Sequence, residues 1–310
     1  MSHWTPAAMP DLTGKTVLVT GANSGIGFET AALLAARKAR LLITCRGAEK
    51  ARRTIARLQQ RVPGAEITAV DMDLADLASV RRAAQQVLDC CQQLDVLVNN
   101  AGVMGLPLQR NAAGHEMLFA VNHLGHFAFT GLLMPLLNAA VAPRVVTVSS
   151  LAARKGSLPM DDLNWRQGGY SKMAAYGRAK LANLCFAMEL QRRFDAAGAS
   201  AISVAAHPGY AATNVAFAGD APHSLTRRLW MAIARLGNRL LAQPAARGAW
   251  PSVYAASAED VRNGDYYGPA GPFEFRGPPV RVKPTATALD LEVGRQLWQR
   301  SEELSEVRFL

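Results

Sequence analysis

No apolar stretch of the chain is long enough to cross a bilayer. The most apolar one, around residues 131–141, is broken by Pro135 and Asn138. It falls well short of the roughly 20 residues that a spanning helix requires. Residues 1–16 contain Asp11 and lack a continuous apolar core, so no secretory signal is expected there. Cysteine is scarce: Cys45, Cys90, Cys91 and Cys185 show no metal-ligand or disulfide spacing, and adjacent cysteines such as Cys90 and Cys91 rarely bridge each other. Reduced thiols and a cytoplasmic location are the expectation. Internal repeats are absent, and so is any long basic run interleaved with aromatics. The formal charge of +10 is carried by dispersed arginines. That pattern argues against a nucleic-acid partner and suits an anionic cofactor plus general solubility.

What is present is a chain of 310 residues, half of them apolar, ample for a full core. Apolar, β-branched runs read as strands at 15–20, 41–44, 66–70, 95–98, 144–150 and 201–206. Helical stretches lie between them, at 26–37, at 48–61, from a cap at Asp76 to about Gln92, from about Gly114 to Asn138, and at 173–194. Strand and helix alternating in this way predict a single-domain, doubly wound parallel sheet of the Rossmann type with helices on both faces. Residues 155–169 read as an irregular excursion. Residues 224–241 read as a basic amphipathic helix, expected to cover the active site or dock on the protein rather than lie on a membrane. The substrate-covering segment is placed at about 210–245. The Gly/Pro-rich stretch 267–284 reads as loop, followed by a last helix at about 289–304.

Several of these junctions carry chemistry. The first strand runs directly into Gly21-Ala22-Asn23-Ser24-Gly25-Ile26-Gly27 and then into a helix. Glycines there let the backbone turn tightly and approach a phosphate at the helix N-terminus. Arg46 ends the second strand, where an acidic residue would bind a ribose 2′-hydroxyl. A guanidinium instead suits a 2′-phosphate, which favours NADP over NAD. Tyr176 and Lys180 stand four apart on a helix, hence on one face, and a nearby cation is expected to lower the tyrosine pKa. The pair is a candidate general acid/base. His123 and His126 are three apart, but no third ligand is evident and no metal site is expected.

Taken together, Thr20-Gly21-x-x-x-Gly25-Ile26-Gly27, Asn99-Asn100-Ala101-Gly102, Asn122, Ser150, Tyr176-x-x-x-Lys180 and Pro208-Gly209 resemble the short-chain dehydrogenases/reductases over nearly the whole chain. Val121-Asn-His-Leu-Gly-His-Phe127 and the long interval from Ser150 to Tyr176 resemble the retinol dehydrogenase and protochlorophyllide reductase branch. The resemblance implies an enzyme interconverting a carbonyl and an alcohol, with a small or lipophilic substrate. It implies Tyr176 as proton donor or acceptor, and Lys180 as holder of the nicotinamide ribose and tuner of the tyrosine. Ser150 would bind the substrate oxygen, with Ser149 turned the opposite way by strand alternation. Asn122 would position a relay water. Asp73 and Leu74 would lie at the adenine, Asn99, Ala101 and Gly102 at the adenosine ribose, and Pro208, Gly209 and Thr213 at the nicotinamide. A homodimer through the Asn122 and Tyr176 helices is also implied. Lys38-Ala39 departs from the family's Gly-Ala and should carry left-handed strain. Residues 217–245 match no branch pattern, which leaves the substrate open. The alternative reading is a non-catalytic NADP-binding regulator or scaffold of the same fold.

Overall fold

The computed structural model describes residues 4–210 and 243–310. Eight strands form one sheet: β1 (Thr16–Thr20), β2 (Arg40–Cys45), β3 (Ile67–Asp71), β4 (Val96–Asn99), β5 (Arg144–Val148), β6 (Ile202–Ala206), β7 (Tyr266–Pro269) and β8 (Pro279–Arg281). Their order is β3-β2-β1-β4-β5-β6-β7-β8. Neighbours are parallel except for the antiparallel β7–β8 pair. The central strands are continuous apolar runs because both faces are covered. Val17 and Val19 of β1 pack into one apolar layer, while Leu18 between them packs into the other.

Helices α1 (Gly25–Ala35), α2 (Ala48–Arg61) and α3 (Leu77–Cys90) connect the first four strands. Asp76 caps α3 by accepting from Ala78 N–H. After β4 come α4 (Gly125–Leu132), α5 (Lys172–Ala196), α6 (Trp250–Ser257) and α7 (Leu291–Ser305). Phe28 and Leu34 of α1, Leu58 of α2 and Val253 of α6 belong to the first layer. Val80 of α3, Phe127 of α4, Phe186 of α5 and Trp298 of α7 belong to the second.

Two local readings are corrected by the fold. The single long helix expected over 114–138 is divided. It begins at Met117, where the buried carboxylate of Glu116 accepts from Leu118 and Phe119 N–H. A π-helical turn at Ala120–Leu124 follows, then α4, then a short helix at Met134–Ala139. Pro135 supplies the second break, since its ring cannot sit one turn beyond Gly131 in a continuous helix. The stretch expected to be loop, 267–284, contains most of β7 and all of β8. Tyr267 pairs with Ala206 of β6, and Pro269 faces Pro279 at the sheet edge, where missing N–H donors are tolerated. The C-terminal helix α7 packs on the face where a homodimer was expected. The ring of Trp298 stacks on Phe186 and meets Phe127 edge-on, and His123 Nε2 is 2.8 Å from Ser301 Oγ. Residues 177–190 are all buried within the one chain. Lys38 is in the left-handed region at φ 67°, as its place beyond α1 predicted. The helix expected at 224–241 and Thr213 lie outside the described residues.

Candidate active site

The strand order reverses between β1 and β4, so their connections leave in opposite directions and open a crevice at the carboxyl ends of the strands. A cavity of about 1190 Å³ runs along it, from Arg46 and Asp73 at one end to Ser150, Tyr176 and Tyr210 at the other. Gly21, Asn23, Ser24, Gly25, Ile26 and Gly27 line it. Gly21 has φ 67° and Gly25 φ 57°. A Cβ on Gly21 would stand 2.8 Å from Ala101 Cα, and one on Gly27 would stand 2.4 Å from Gly21 O. The turn therefore closes only with glycine at these points. Ser24, at the N-cap of α1, makes no side-chain cap bond. The first-turn N–H groups and the positive end of the helix dipole are thus left beside the cavity, the arrangement that receives a pyrophosphate. The residues present fit a dinucleotide.

The turn after β4 is held by residues that the motif reading did not assign. Thr20 Oγ1 accepts from both Asn100 and Ala101 N–H, each at 2.9 Å, and stands 2.9 Å from His126 Nε2. His126 Nδ1 lies 2.9 Å from Asn122 O, a carbonyl that only accepts. Nδ1 therefore carries the proton, and Thr20 donates its own to Nε2. Burial pushes the His126 pKa down to about 4, so the ring stays neutral. Asn99 departs from its expected place at the cavity. Its side chain is fully buried and donates to Thr130 Oγ1 at 2.9 Å, and it does not line the cavity. Asn100, one position on, lines the cavity and donates to Thr20 O at 2.7 Å. Ala101 and Gly102 line it as expected.

At the adenosine end Arg46, Asp73 and Leu74 line the cavity, and so does Lys50 from α2. Arg46 and Asp73 form a loose, exposed ion pair at 3.9 Å, of the kind that contributes little and yields readily to a stronger anion.

At the other end Ser150, Tyr176 and Lys180 line the cavity together. Burial pushes the Tyr176 phenol above its ordinary range, and its hydrogen bond with Ser150 opposes that rise. Ser150 Oγ also accepts from Ala152 N–H at 3.2 Å, capping the short helical turn at Leu151–Lys155. Ser149 points the other way and donates to Lys180 O at 2.7 Å. Lys180 is buried, with Nζ donating to Val148 O at 2.9 Å and standing 6.0 Å from the Tyr176 ring centre. Burial pushes its own pKa down to about 8. The spacing of the pair led to the expectation of a lowered tyrosine pKa; within the protein alone, burial raises it instead. Asn122 sits in the π-helical turn, where such distortions often mark functional sites. Its amide accepts from Val103 N–H at 2.7 Å and donates to Val103 O at 2.9 Å. It anchors the loop after Gly102 and does not itself line the cavity.

Pro208 and Gly209 line the cavity beyond Tyr176. Met104, Leu151, Ala152 and Met173 add an apolar wall there, with Lys155 beside it. These come from loops and helix starts without periodic pattern, so nothing local in the sequence marked them. Each ring of His123 and His126 is engaged in intramolecular hydrogen bonds, and among the described residues no three side chains are grouped to hold a metal. Among the same residues no helix is long and apolar enough to cross a membrane.

A doubly wound sheet, a phosphate-binding turn and a Ser-Tyr-Lys group in one crevice define a dinucleotide-dependent oxidoreductase. Comparison with known proteins agrees. The short chain dehydrogenase family matches residues 15–220. Human retinol dehydrogenase 13 is 37% identical over 297 residues, covering 94% of this chain and 85% of that protein. Human retinol dehydrogenase 14 is 36% identical over 304 residues, covering 93% and 85%. Among solved structures, an uncharacterised protein from Mycobacterium Paratuberculosis superposes with a TM-score of 0.81 at 38% identity, over 100% of both chains. The chain belongs to the short-chain dehydrogenase/reductase family, in its retinol dehydrogenase-like branch, and is an enzyme acting on alcohol and carbonyl groups.

Proposed function

We propose that the enzyme is NADP-dependent and interconverts a lipophilic alcohol and its carbonyl, with Tyr176 exchanging the proton. The observation that carries this reading is the cavity itself. It joins two cations, Arg46 and Lys50, at one end to Tyr176 and Ser150 at the other. A guanidinium just after β2 and an ammonium in the first turn of α2 suit a 2′-phosphate, and the weak Arg46–Asp73 pair leaves the arginine available to it.

The turn at Gly21–Gly27 would hold the pyrophosphate, and Lys180 the nicotinamide ribose. Bound nicotinamide supplies a hydride to the substrate carbon in reduction and accepts one in oxidation. The remaining chemistry belongs to the protein. Tyr176 and Ser150 both reach the substrate oxygen, Ser150 stabilising its developing charge. In reduction Tyr176 Oη gives its proton to that oxygen; in oxidation it takes the hydroxyl proton. The buried Lys180 ammonium favours the transient phenolate. The apolar wall of Met104, Leu151 and Met173 accepts a lipophilic chain and excludes water around the reacting atoms. The names of the relatives make retinol and retinal the first candidates to try.

The test follows reduced-nicotinamide absorbance with NADPH or NADH against all-trans-retinal, medium-chain aldehydes and simple ketones. Turnover with at least one apolar carbonyl is expected. Arg46→Asp should weaken NADPH by at least about tenfold while leaving NADH nearly unchanged. Equal losses for the two cofactors would refute the assignment of Arg46, and no turnover on any carbonyl would refute the reaction.

A further inference from the structure

The structure links the two turns that flank the reacting end of the cavity through one carboxylate, that of Glu274 in the β7–β8 connection. Its Oε1 is 2.6 Å from Arg154 Nη2, in the helical turn that Ser150 caps. Its Oε2 is 2.8 Å from His207 Nε2. His207 is fully buried, directly before Pro208 and Gly209, and its Nδ1 accepts from Gly209 N–H at 3.2 Å. Because Nδ1 accepts, Nε2 carries the imidazole proton and donates it to Glu274. Burial pushes the His207 pKa down, and the His207 bond holds Glu274 low, so the pair is a neutral imidazole on a carboxylate.

The surroundings are shaped for this contact. A Cβ on Gly268 of β7 would fall 2.0 Å from His207 Nε2, so glycine there admits the ring. Gly209, at φ 64°, lies so close under the same connection that a Cβ would meet Phe275 O at 2.5 Å and Glu274 O at 2.8 Å. Tyr210 N–H donates to Phe275 O at 2.9 Å. Phe273 and Glu274 are both left-handed, at φ 55° and φ 60°. Two successive non-glycine residues in that region persist only where the surroundings over-determine them. The ion pair and the buried histidine supply that determination.

We propose that Glu274 is a positioning residue which, through His207 and Arg154, clasps the Pro208–Gly209 turn to the Ser150 turn and so sets the spacing between the nicotinamide end and the substrate-oxygen site. This rests on the dinucleotide reading of the cavity given above. The clasp touches only one half of the cofactor site, since the phosphate turn and Arg46 lie at the far end. Its loss should therefore be felt by a ligand that reaches the Pro208–Gly209 turn and not by one that stops at the adenosine half.

Calorimetric titration of the full chain with NADPH and with 2′,5′-ADP, which lacks the nicotinamide half, separates the possibilities. Glu274→Gln removes the charge at nearly constant shape, and Arg154→Gln removes one partner. Each should weaken NADPH by about tenfold, as expected for losing a charge-assisted bond at a buried junction, and leave 2′,5′-ADP within about twofold. The double variant should lose no more than Glu274→Gln alone, because both act through one carboxylate. Glu274→Asp, which keeps the charge, should recover part of the affinity. NADPH affinity unchanged in Glu274→Gln, equal losses for both ligands, or additive losses in the double variant would each overturn the clasp. A wild type that binds 2′,5′-ADP and NADPH with equal affinity would also overturn it, while leaving the cofactor reading intact. A wild type that binds neither overturns the cofactor reading and the clasp together.

Discussion

Lys180→Met should make the folded protein more stable at neutral pH while removing its activity. Burial lowers the lysine pKa from 10.5 to about 8, which means that the charged form is disfavoured in the fold by about 3 kcal/mol. The ammonium recovers part of this through its bond to Val148 O. That carbonyl also accepts from Asn183 Nδ2 at 3.2 Å, so replacing the lysine leaves no buried acceptor unpaired. Methionine fills nearly the same volume without the charge. The net gain at pH 7 should be about 2 kcal/mol, or roughly 3 °C in Tm for a chain of this size. The sign of the pH dependence follows from linkage. The lysine's folded pKa is lowered, so between about pH 8 and 10.5 the unfolded chain holds more protons than the folded one. The penalty is full below the folded value and is relieved as pH rises towards 10.5. Paired thermal melts of wild type and Lys180→Met from pH 7 to pH 10 should show the gap closing as pH rises. A variant less stable than wild type at pH 7, or a gap that does not change with pH, would refute the reasoning. The stability sacrificed at this position is the expected companion of a functional cation in a dry site.

Tyr176→Phe keeps the ring and removes the proton, so on any substrate that wild type turns over the rate should fall by about 10²–10⁴; NADPH titration should show affinity nearly unchanged. Lys38→Gly relieves a left-handed lysine at φ 67° and should raise the stability read from denaturant melts by about 0.5–1 kcal/mol. Its exposed pair with Asp11 is too solvated to reverse that sign, and a loss of stability would count against the strain argument. Trp298→Ala opens the α4–α5 face that α7 covers and should cost about 3–5 kcal/mol. Light scattering should then show association, whereas wild type should run as a single 33.2 kDa species; a wild-type dimer would mean that another surface pairs the copies.

The reading from sequence alone was strongest where structure is local. A buried parallel strand is a short apolar run, a phosphate turn is glycines between strand and helix, and Tyr176 and Lys180 share a face because four residues make about one helical turn. Those patterns are written in neighbouring residues, so β1 to β6, α1, α2, α5 and the Tyr176–Lys180 pair were legible from the chain, while Ser150 entered only through the family resemblance. Other features depend on residues far apart in sequence. Asn99 and Asn100 are chemically identical, and only the pleat of β4 against Thr20 and Thr130 decides which of them faces the crevice. β7 and β8, rich in glycine and proline, become strands because β6 offers an unpaired edge and Gly268 leaves room for His207. The lysine that spacing marks as a tuner of Tyr176 turns out to be desolvated along with it, since burial is a property of the packed helices and not of their spacing. The helix that closes the chain was visible as a helix, but where it docks was not. An amphipathic face specifies that it must be covered, and only the assembled second layer, with Phe127 and Phe186 awaiting Trp298, specifies by what.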